Sequence, residues 1–299
     1  MANDIGASVL AKLRNKAKAT NKSYQQCLQL FFQEEFLRRV AKSKYADNLV
    51  LKGGLFIYTL TNFESRATID IDFLLRQQSN AIDDVEKMIN QIISIDTGNE
   101  FVSFEAKNFE MISPQRKYKG ISTQIIGHIN QVRIPFNIDI GVGDVIVPRA
   151  EKRKIALQLD GFEALEISTY SLESTIAEKF DAILQRLELT SRMKDFYDIN
   201  YLANTFDFDG RKLQEAIIET LQNRGTSFEK NSMKNIMSFS DDSDMNIKWN
   251  FFLRNLKITE PKFEDVLQAI NAFLSPIYQA IIDEKEFFMQ WNCNNASWK

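Results

Sequence analysis

Two aspartates separated by one residue are the first feature of this sequence that could do chemistry. Asp70 and Asp72 lie in an alternating apolar and polar run over residues 69–75, which predicts a β-strand. Residues two apart in a strand project from one face, so we expect the two carboxylates side by side and the alternate apolar residues, Ile69 among them, in the core. Adjacent carboxylates repel each other, and a divalent cation that prefers oxygen ligands relieves the repulsion. The pair therefore predicts a metal site, most naturally for Mg²⁺, with Mn²⁺ as the alternative.

A pair of glycines precedes the aspartates. Gly53 and Gly54 follow Lys52 at the end of a short apolar stretch, and the next residues, 55–60, are typical of a helix. Glycines at such a junction let backbone N–H groups approach an anion, and the start of a helix adds a favourable dipole. We call this predicted anion-binding turn at Gly53 and Gly54 the anion seat. An anion seat beside a metal-binding carboxylate pair is the minimum needed to bind a nucleoside triphosphate (NTP) with its cation.

A third carboxylate, Asp139, lies on another alternating run, from Phe136 to Gly141. If this strand pairs beside the strand of Asp70 and Asp72, the three carboxylates can hold two metal ions. Two-metal sites activate an attacking hydroxyl and stabilise a leaving pyrophosphate. For the pair Asp70 and Asp72 taken alone, a solvent-exposed strand face is the competing interpretation, and a lone double glycine is a weaker signal still.

The C-terminal half carries a further group of charged residues. Lys179 lies on a predicted helix, where it could neutralise charge that grows on a transferred phosphoryl group. Asp195 and Asp198 are three residues apart, so they are neighbours on their own helix. The structural alternative for these aspartates is an ion pair with Arg192 or Lys194.

The elements that must position these residues indicate an α+β fold, with a small mixed sheet followed by a helical C-terminal half. We expect two domains, residues 1–168 and 169–299, with N-terminal helices in the first and Ser171 as an N-cap in the second. Residues 227–248 are weakly patterned and predict a loop or an irregular helical connection. The predicted helices are Tyr24–Lys42, Leu55–Leu60, Asn80–Ile93, Leu172–Leu189, Lys194–Asn204, Gly210–Asn223 and Phe263–Ile282. The predicted strands are Ile69–Leu75, Phe101–Ile112, Gly120–Asn130, Val132–Ile140 and Glu166–Thr169, of which the three from residue 101 to 140 form an antiparallel meander.

Composition excludes several classes of protein. The 299 residues are 44% hydrophobic and 26% charged, which is the profile of a globular protein, and no apolar run approaches the ~20 residues needed to span a bilayer. With one histidine and two cysteines, the sequence has too few candidate ligands for a typical zinc site and only one histidine for a catalytic triad. The N-terminus has no apolar signal region, so we expect a cytoplasmic protein with reduced thiols and no membrane partner.

Basic residues form three local groups, although the net charge is −3. Each group is either a solvated surface or part of a positive face for nucleic acid. The groups are Lys12, Arg14, Lys16, Lys18 and Lys22; Arg116, Lys117 and Lys119; and Arg149, Lys152, Arg153 and Lys154.

Taken together and in order, these motifs resemble the AbiEii-type nucleotidyltransferase toxins of bacterial toxin–antitoxin and abortive-infection systems. The resemblance covers about residues 24–204, and it implies a polymerase-β-like nucleotidyltransferase core followed by a helical domain. The matching strings are Leu51 to Gly54, Arg66 to Phe73, Phe136 to Gly141, Leu172 to Lys179 and Lys194 to Ile199.

The resemblance implies a Mg²⁺-dependent toxin that transfers nucleotides from an NTP to RNA and so blocks translation; in some members of the family the acceptor is the 3′ end of tRNA, and we expect that acceptor here. It also implies a cognate antitoxin as partner. The implied catalytic residues are Asp70, Asp72, Asp139, Lys179 and Asp198, the first three of them metal ligands. The implied nucleotide-binding residues are Lys52, Gly53, Gly54, Arg66, Thr68, Lys179 and Asp195.

One departure from the family pattern concerns the glycine turn. The residues after Gly54 are Leu55 and Phe56, where the family has a threonine. Backbone N–H groups are therefore the expected phosphate donors at this turn. Two other functions stay open: transfer to a protein hydroxyl, and nucleotide binding by a regulatory protein without transfer.

Overall fold

A computed structural model describes residues 4–112, 119–186 and 192–299, apart from the side chain of Arg186. Arg116, Lys117 and the predicted helix extension to Leu189 lie outside the described residues. The chain forms two compact units. The first unit contains Met1–Asp144 and Ala150–Tyr170, and the second contains Val145–Arg149 and Ser171–Lys299.

The first unit is built on a seven-stranded mixed sheet, larger than the small sheet that we expected. The strand order is β3-β4-β5-β2-β1-β7-β6; β2 pairs with β5 and β1 with β7 in parallel, and the other pairs are antiparallel. The elements are α1 (Ile5–Ala19), α2 (Tyr24–Lys42), β1 (Leu49–Lys52), α3 (Gly53–Leu60), β2 (Ile71–Leu75), α4 (Ile82–Ile93), β3 (Ser103–Ile112), β4 (Gly120–Ile129), β5 (Val132–Val142), β6 (Glu151–Ile155) and β7 (Leu165–Thr169). The predicted antiparallel meander of β3, β4 and β5 is confirmed, whereas β6 was not predicted.

Helix α2 covers the apolar face of the sheet. Its Phe36 makes aromatic contacts with Phe73, Phe104 and Phe136, at ring centroid distances of 6.2–6.4 Å. A Cβ on Gly127 of β4 would lie 2.3 Å from the Phe32 ring, so only glycine lets helix and strand approach this closely. Alternation puts one face of each central strand under α2 and leaves the opposite face of β4 and β5 less buried, with Ser122, Asn137 and Asp139 among its residues.

Helix α2 begins and ends where the sequence predicts, but its polar side is buried as well. Arg38 donates to Glu34 over 2.9 Å and to Glu35 over 3.2 Å, and Glu34 also accepts a backbone hydrogen bond from Gln158. Burial raises the pKa of Glu34, while the bonds from Gln158 and Arg38 oppose that rise. The ionised carboxylate is therefore costly to bury despite its partners.

We expect the stability difference between wild type and Glu34→Gln to shift in favour of the variant as pH rises from about 4 to 8. Because the pKa of Glu34 is raised in the folded state, the protonated carboxyl contributes most to the free energy of unfolding. This contribution is lost as the pH rises through the raised pKa. Urea denaturation of both proteins at a series of pH values measures the difference. A difference that does not vary with pH would contradict it.

The second unit is mainly helical, with a small three-stranded sheet of order β10-β9-β8 that was not predicted. Its elements are α5 (Leu172–Arg186), α6 (Met193–Thr205), β8 (Phe208–Asp209), α7 (Gly210–Arg224), α8 (Ser232–Met237), a 3₁₀ helix (Ser238–Asp241), α9 (Ser243–Leu256), α10 (Phe263–Ile282), β9 (Gln290–Asn292) and β10 (Ser297–Trp298). The predicted N-cap is confirmed, because Ser171 Oγ accepts from the N–H of Ser174 over 3.0 Å. The segment 227–248 is an irregular helical connection, one of the two predicted alternatives: it contains α8, the 3₁₀ helix and the start of α9, which buries Met245 and Trp249. None of the helices described is long and apolar enough to cross a membrane.

Candidate active site

Four polar residues form one row across the central strands of the first unit. In the sheet register, Lys52 lies opposite Asp72, Asp72 lies opposite Asp139, and Asp139 lies opposite Ser122. Opposite residues project from the same face of a sheet, on strands about 5 Å apart. The predicted pairing of the two aspartate strands is therefore confirmed, and the carboxylates of Asp72 and Asp139 are neighbours.

Asp70 lies just before β2, not within it. The predicted strand begins two residues later than expected, and Ile69 is 62% exposed rather than in the core. The side chains of Gln29 and Gln33, on α2, donate to the Ile69 carbonyl over 3.0 and 2.8 Å. These side-chain hydrogen bonds replace the bond from a neighbouring strand that this carbonyl would otherwise accept. Asp70 stays next to the row, because the amide of Asn137 lies 3.4 Å from its Oδ1.

The glycine turn lies directly against the carboxylate of Asp72. Gly53 has a φ of +68°, and a Cβ built on it would be 2.0 Å from Asp72 Oδ2. Gly54 is similarly covered, since its Cβ would lie 3.1 Å from the Thr68 hydroxyl oxygen. The start of α3 brings its backbone N–H groups and the positive end of its dipole to the same point. The predicted anion seat and the predicted metal ligand thus share one corner of the sheet.

Lys52 is held by an acidic residue that the sequence reasoning missed. Its ammonium lies 2.6 Å from Asp144 Oδ2 and 5.2 Å from the centre of the Tyr170 ring. A phosphate would therefore have to compete with Asp144 for this lysine. The run from Gly141 to Asp144, where β5 ends, was the available signal. Arg66 lies half-buried in the segment between α3 and β2.

The donor set fits Mg²⁺ as an ion shared between protein and substrate. Among the described residues, no group of three or more His, Cys, Asp or Glu side chains lies close enough to hold an ion. Mg²⁺ commonly takes one or two carboxylates and completes its shell with water and substrate phosphates, so the neighbouring Asp72 and Asp139 suffice. The three-carboxylate site that includes Asp70 stays a prediction.

A cluster of four charged side chains lies in the second unit, and we call it the Lys179 cluster. Lys179 Nζ is 2.6 Å from Asp198 Oδ2 and 3.2 Å from Asp195 Oδ1, and Arg192 Nε is 2.6 Å from Asp195 Oδ2. The structural interpretation of Asp195, an ion pair with Arg192, is therefore confirmed. Lys179 and both aspartates are buried. Each unit thus contains one cluster of the residues that sequence reasoning selected.

We expect Lys179→Met to lower the free energy of unfolding by about 3–5 kcal/mol, because it removes a cation that contacts two buried carboxylates. Urea denaturation measures the effect, and Lys194→Met, outside the cluster, is the matched control. Equal stability of wild type and Lys179→Met would contradict a structural role. Loss of nucleotide affinity without loss of stability would instead indicate direct contact with the nucleotide.

Part of the basic surface is engaged within the protein. Lys152 pairs with Asp47 over 2.9 Å, and Arg153 pairs with Glu151. Lys22 donates to the Tyr58 hydroxyl over 2.9 Å. These contacts reduce the positive charge that the first and third basic groups offer to a nucleic acid.

The glycine turn and the paired aspartate strands form the core of the first unit, and a match to a family model defines the class of the protein: it is a nucleotidyltransferase. Residues 35–269 match the family described as "Nucleotidyl transferase AbiEii toxin, Type IV TA system". The chain belongs to this family of toxin–antitoxin nucleotidyltransferases. No curated protein matches the sequence.

Two solved structures are similar to this chain, and the first of them shares its fold. JHP933 from Helicobacter pylori superposes with a TM-score of 0.50 at 14% identity, over 88% of this chain and 95% of that one. A second H. pylori protein, described as a candidate nucleotidyltransferase, gives a TM-score of 0.48 at 12% identity, over 89% of this chain and all of its own. At these identities the likeness to JHP933 concerns the fold alone.

Proposed function

We propose that this toxin transfers a nucleotide from an NTP to the 3′ end of a tRNA and so blocks translation. The observation that supports the proposal most directly is the contact between Asp72 and the Gly53 backbone, beside Asp139 on the next strand. Two carboxylates next to backbone N–H groups at a helix start suit a triphosphate with its cation, and this supports the proposal. The family supplies the toxin context, with a cognate antitoxin as partner, and we place the reaction in the cytoplasm, where tRNA is abundant.

The residues of the row have separate roles in this reaction. Asp72 and Asp139, with Asp70 beside them, would hold Mg²⁺, which neutralises charge on the triphosphate and on the leaving pyrophosphate when it is bound. The turn at Gly53 binds phosphate oxygens through backbone N–H groups. Asp139 accepts the proton of the acceptor hydroxyl as its oxygen attacks the α-phosphorus, while the bond to the β-phosphate breaks and pyrophosphate leaves.

Lys52 and Thr68 border the same turn, and we assign them, together with Arg66, to nucleotide binding. For Lys52, that role requires the ammonium to exchange its contact with Asp144 for a phosphate oxygen. Lys179, in the second unit, is proposed to contact the nucleotide in addition to its structural role. As for Lys52, that contact requires the ammonium to exchange one of its contacts with Asp195 and Asp198 for the nucleotide.

Purified protein incubated with each α-³²P-labelled NTP, total tRNA and Mg²⁺ tests the proposal. We expect label on tRNA, release of pyrophosphate, and loss of both with Asp70→Ala or Asp139→Asn. Label on polypeptide but not on RNA would replace the tRNA acceptor by a protein hydroxyl. NTP binding without pyrophosphate release would favour a regulatory protein and contradict the proposal.

A further inference from the structure

Ser122, on β4, holds the carboxylate of Asp139 by a short hydrogen bond. Its Oγ donates to Asp139 Oδ1 over 2.6 Å, and the two residues are direct partners across β4 and β5. O–H···O⁻ bonds of about 2.5–2.7 Å are charge-assisted and stronger than neutral ones. Because a serine hydroxyl carries one proton, the donor capacity of Ser122 is fully used at Asp139.

A second carboxylate, that of Glu110, lies across the sheet from Ser122 on the side opposite Asp139. Glu110 is on β3, just after a bulge in the strand. Glu110 is exposed, whereas Asp139 is half-buried. In the described part of the chain the hydroxyl bonds to Asp139, so this contact restricts the rotation of one particular carboxylate.

Asp139 has an uncharged partner, as Asp70 has in Asn137, whereas other aspartates described above are paired with a lysine. Asp144 is neutralised by Lys52. Asp198 is neutralised by Lys179. Within the described residues, the one side chain that hydrogen-bonds Asp139 is the uncharged Ser122.

An uncharged donor orients a carboxylate without cancelling its charge. Within the described residues no lysine or arginine pairs with Asp139, so its negative charge stays available to an added cation. Partners of this kind behind a metal-binding side chain fix its orientation, and their loss commonly weakens metal affinity about 10–100-fold.

We propose that Ser122 is a positioning residue, which fixes Oδ1 of Asp139 and leaves Oδ2 as the oxygen that binds the divalent cation. The inference rests on the proposed function in one respect, namely that Asp139 is a metal ligand. It adds a residue from outside the motifs that the sequence reasoning selected, on a neighbouring strand of the sheet.

Metal binding tests the role of Ser122 without requiring catalysis. Mn²⁺ is titrated into the full-length protein with a non-hydrolysable NTP analogue, and free Mn²⁺ is followed by electron paramagnetic resonance. We expect Ser122→Ala to raise the Mn²⁺ dissociation constant about 10–100-fold. Ser122→Thr keeps the hydroxyl and is expected to restore wild-type binding. Ser103→Ala, on the exposed edge strand β3 of the same sheet, is the matched control and should bind as wild type does.

Kinetics give a second readout that a merely structural role would not produce. With Ser122→Ala we expect the half-saturating Mg²⁺ concentration to rise by a similar factor, and the rate at saturating Mg²⁺ to recover to within a few-fold of wild type. Thermal melting of the variants without metal checks that the fold is intact, and no change is expected there.

The outcomes separate this inference from the proposed function. Wild-type Mn²⁺ affinity in Ser122→Ala would overturn the role of Ser122, as would failure of the Ser122→Thr rescue. Wild-type affinity in Asp139→Asn would overturn Asp139 as a metal ligand and the inference with it. If the native protein modified no RNA but Ser122→Ala still weakened Mn²⁺ binding, the acceptor would be wrong and the role of Ser122 would stand.

Discussion

Replacing Asp72 by asparagine is expected to reduce nucleotide transfer on the order of 10³-fold or more while leaving the fold intact. The amide keeps the size of the carboxylate but loses its charge, and phosphoryl transfer depends almost entirely on positioning and on charge stabilisation. Asp72 is the acidic residue that contacts the Gly53 turn and also neighbours Asp139. Its loss therefore affects the anion seat and the metal site together.

Label transfer to tRNA from the preferred NTP measures the effect, and a urea denaturation curve monitors the fold. Asp83→Asn, on the exposed surface of α4, removes the same charge elsewhere and should transfer at the wild-type rate. Transfer by Asp72→Asn within about tenfold of wild type would show that the row of carboxylates is not the catalytic site.

Replacing Gly53 by alanine is expected to reduce transfer by at least about 10²-fold, because a shift of ~1 Å in a catalytic group has this effect. Two physical costs coincide at this residue. Its φ of +68° is strained for any residue with a Cβ, and the new atom would lie 2.0 Å from Asp72 Oδ2. The carboxylate of Asp72 or the turn itself must therefore move.

Gly98→Ala separates these two costs. Gly98 has a φ of +78°, and a Cβ on it would meet nothing within 4 Å, so the variant carries the backbone strain without the collision. We expect Gly98→Ala to lower the free energy of unfolding by about 1 kcal/mol and to keep the wild-type transfer activity. In an Asp72→Asn background, Gly53→Ala should cost little further activity, because the two residues act through one contact. Additive losses in the double variant would contradict that coupling.

Much of the core of the first unit follows from local sequence pattern. Alternation placed β4 and β5 within a residue or two, and the helical spacing of apolar residues placed α2 at its true ends. The neighbourhood of Asp72 and Asp139 was predicted as well, because two short apolar strands that each carry an aspartate have few ways to pair. Strand Ile71–Leu75 begins later than expected, since Gln29 and Gln33 supply bonds from a distant helix that no local pattern reports.

The interactions that only the folded chain reveals join residues far apart in the sequence. Asp144 is 92 residues from Lys52, and Ser122 is 17 residues from Asp139. The burial of Glu34 on the polar side of α2 also could not be predicted locally. Helical periodicity predicts which face of a helix is apolar, but it does not predict which residues cover the polar face.

The sequence by itself determined the class of chemistry, since the types and order of the aspartates, glycines and lysines are those of a nucleotidyltransferase. Tertiary structure decided which charges are already satisfied: Lys52 and Lys179 are neutralised by Asp144 and Asp198, while Asp139 is held by an uncharged serine. The physical reason is that a side chain's electrostatic role depends on what lies within about 3–4 Å of it, and that distance is set by strand register and helix packing rather than by residue type.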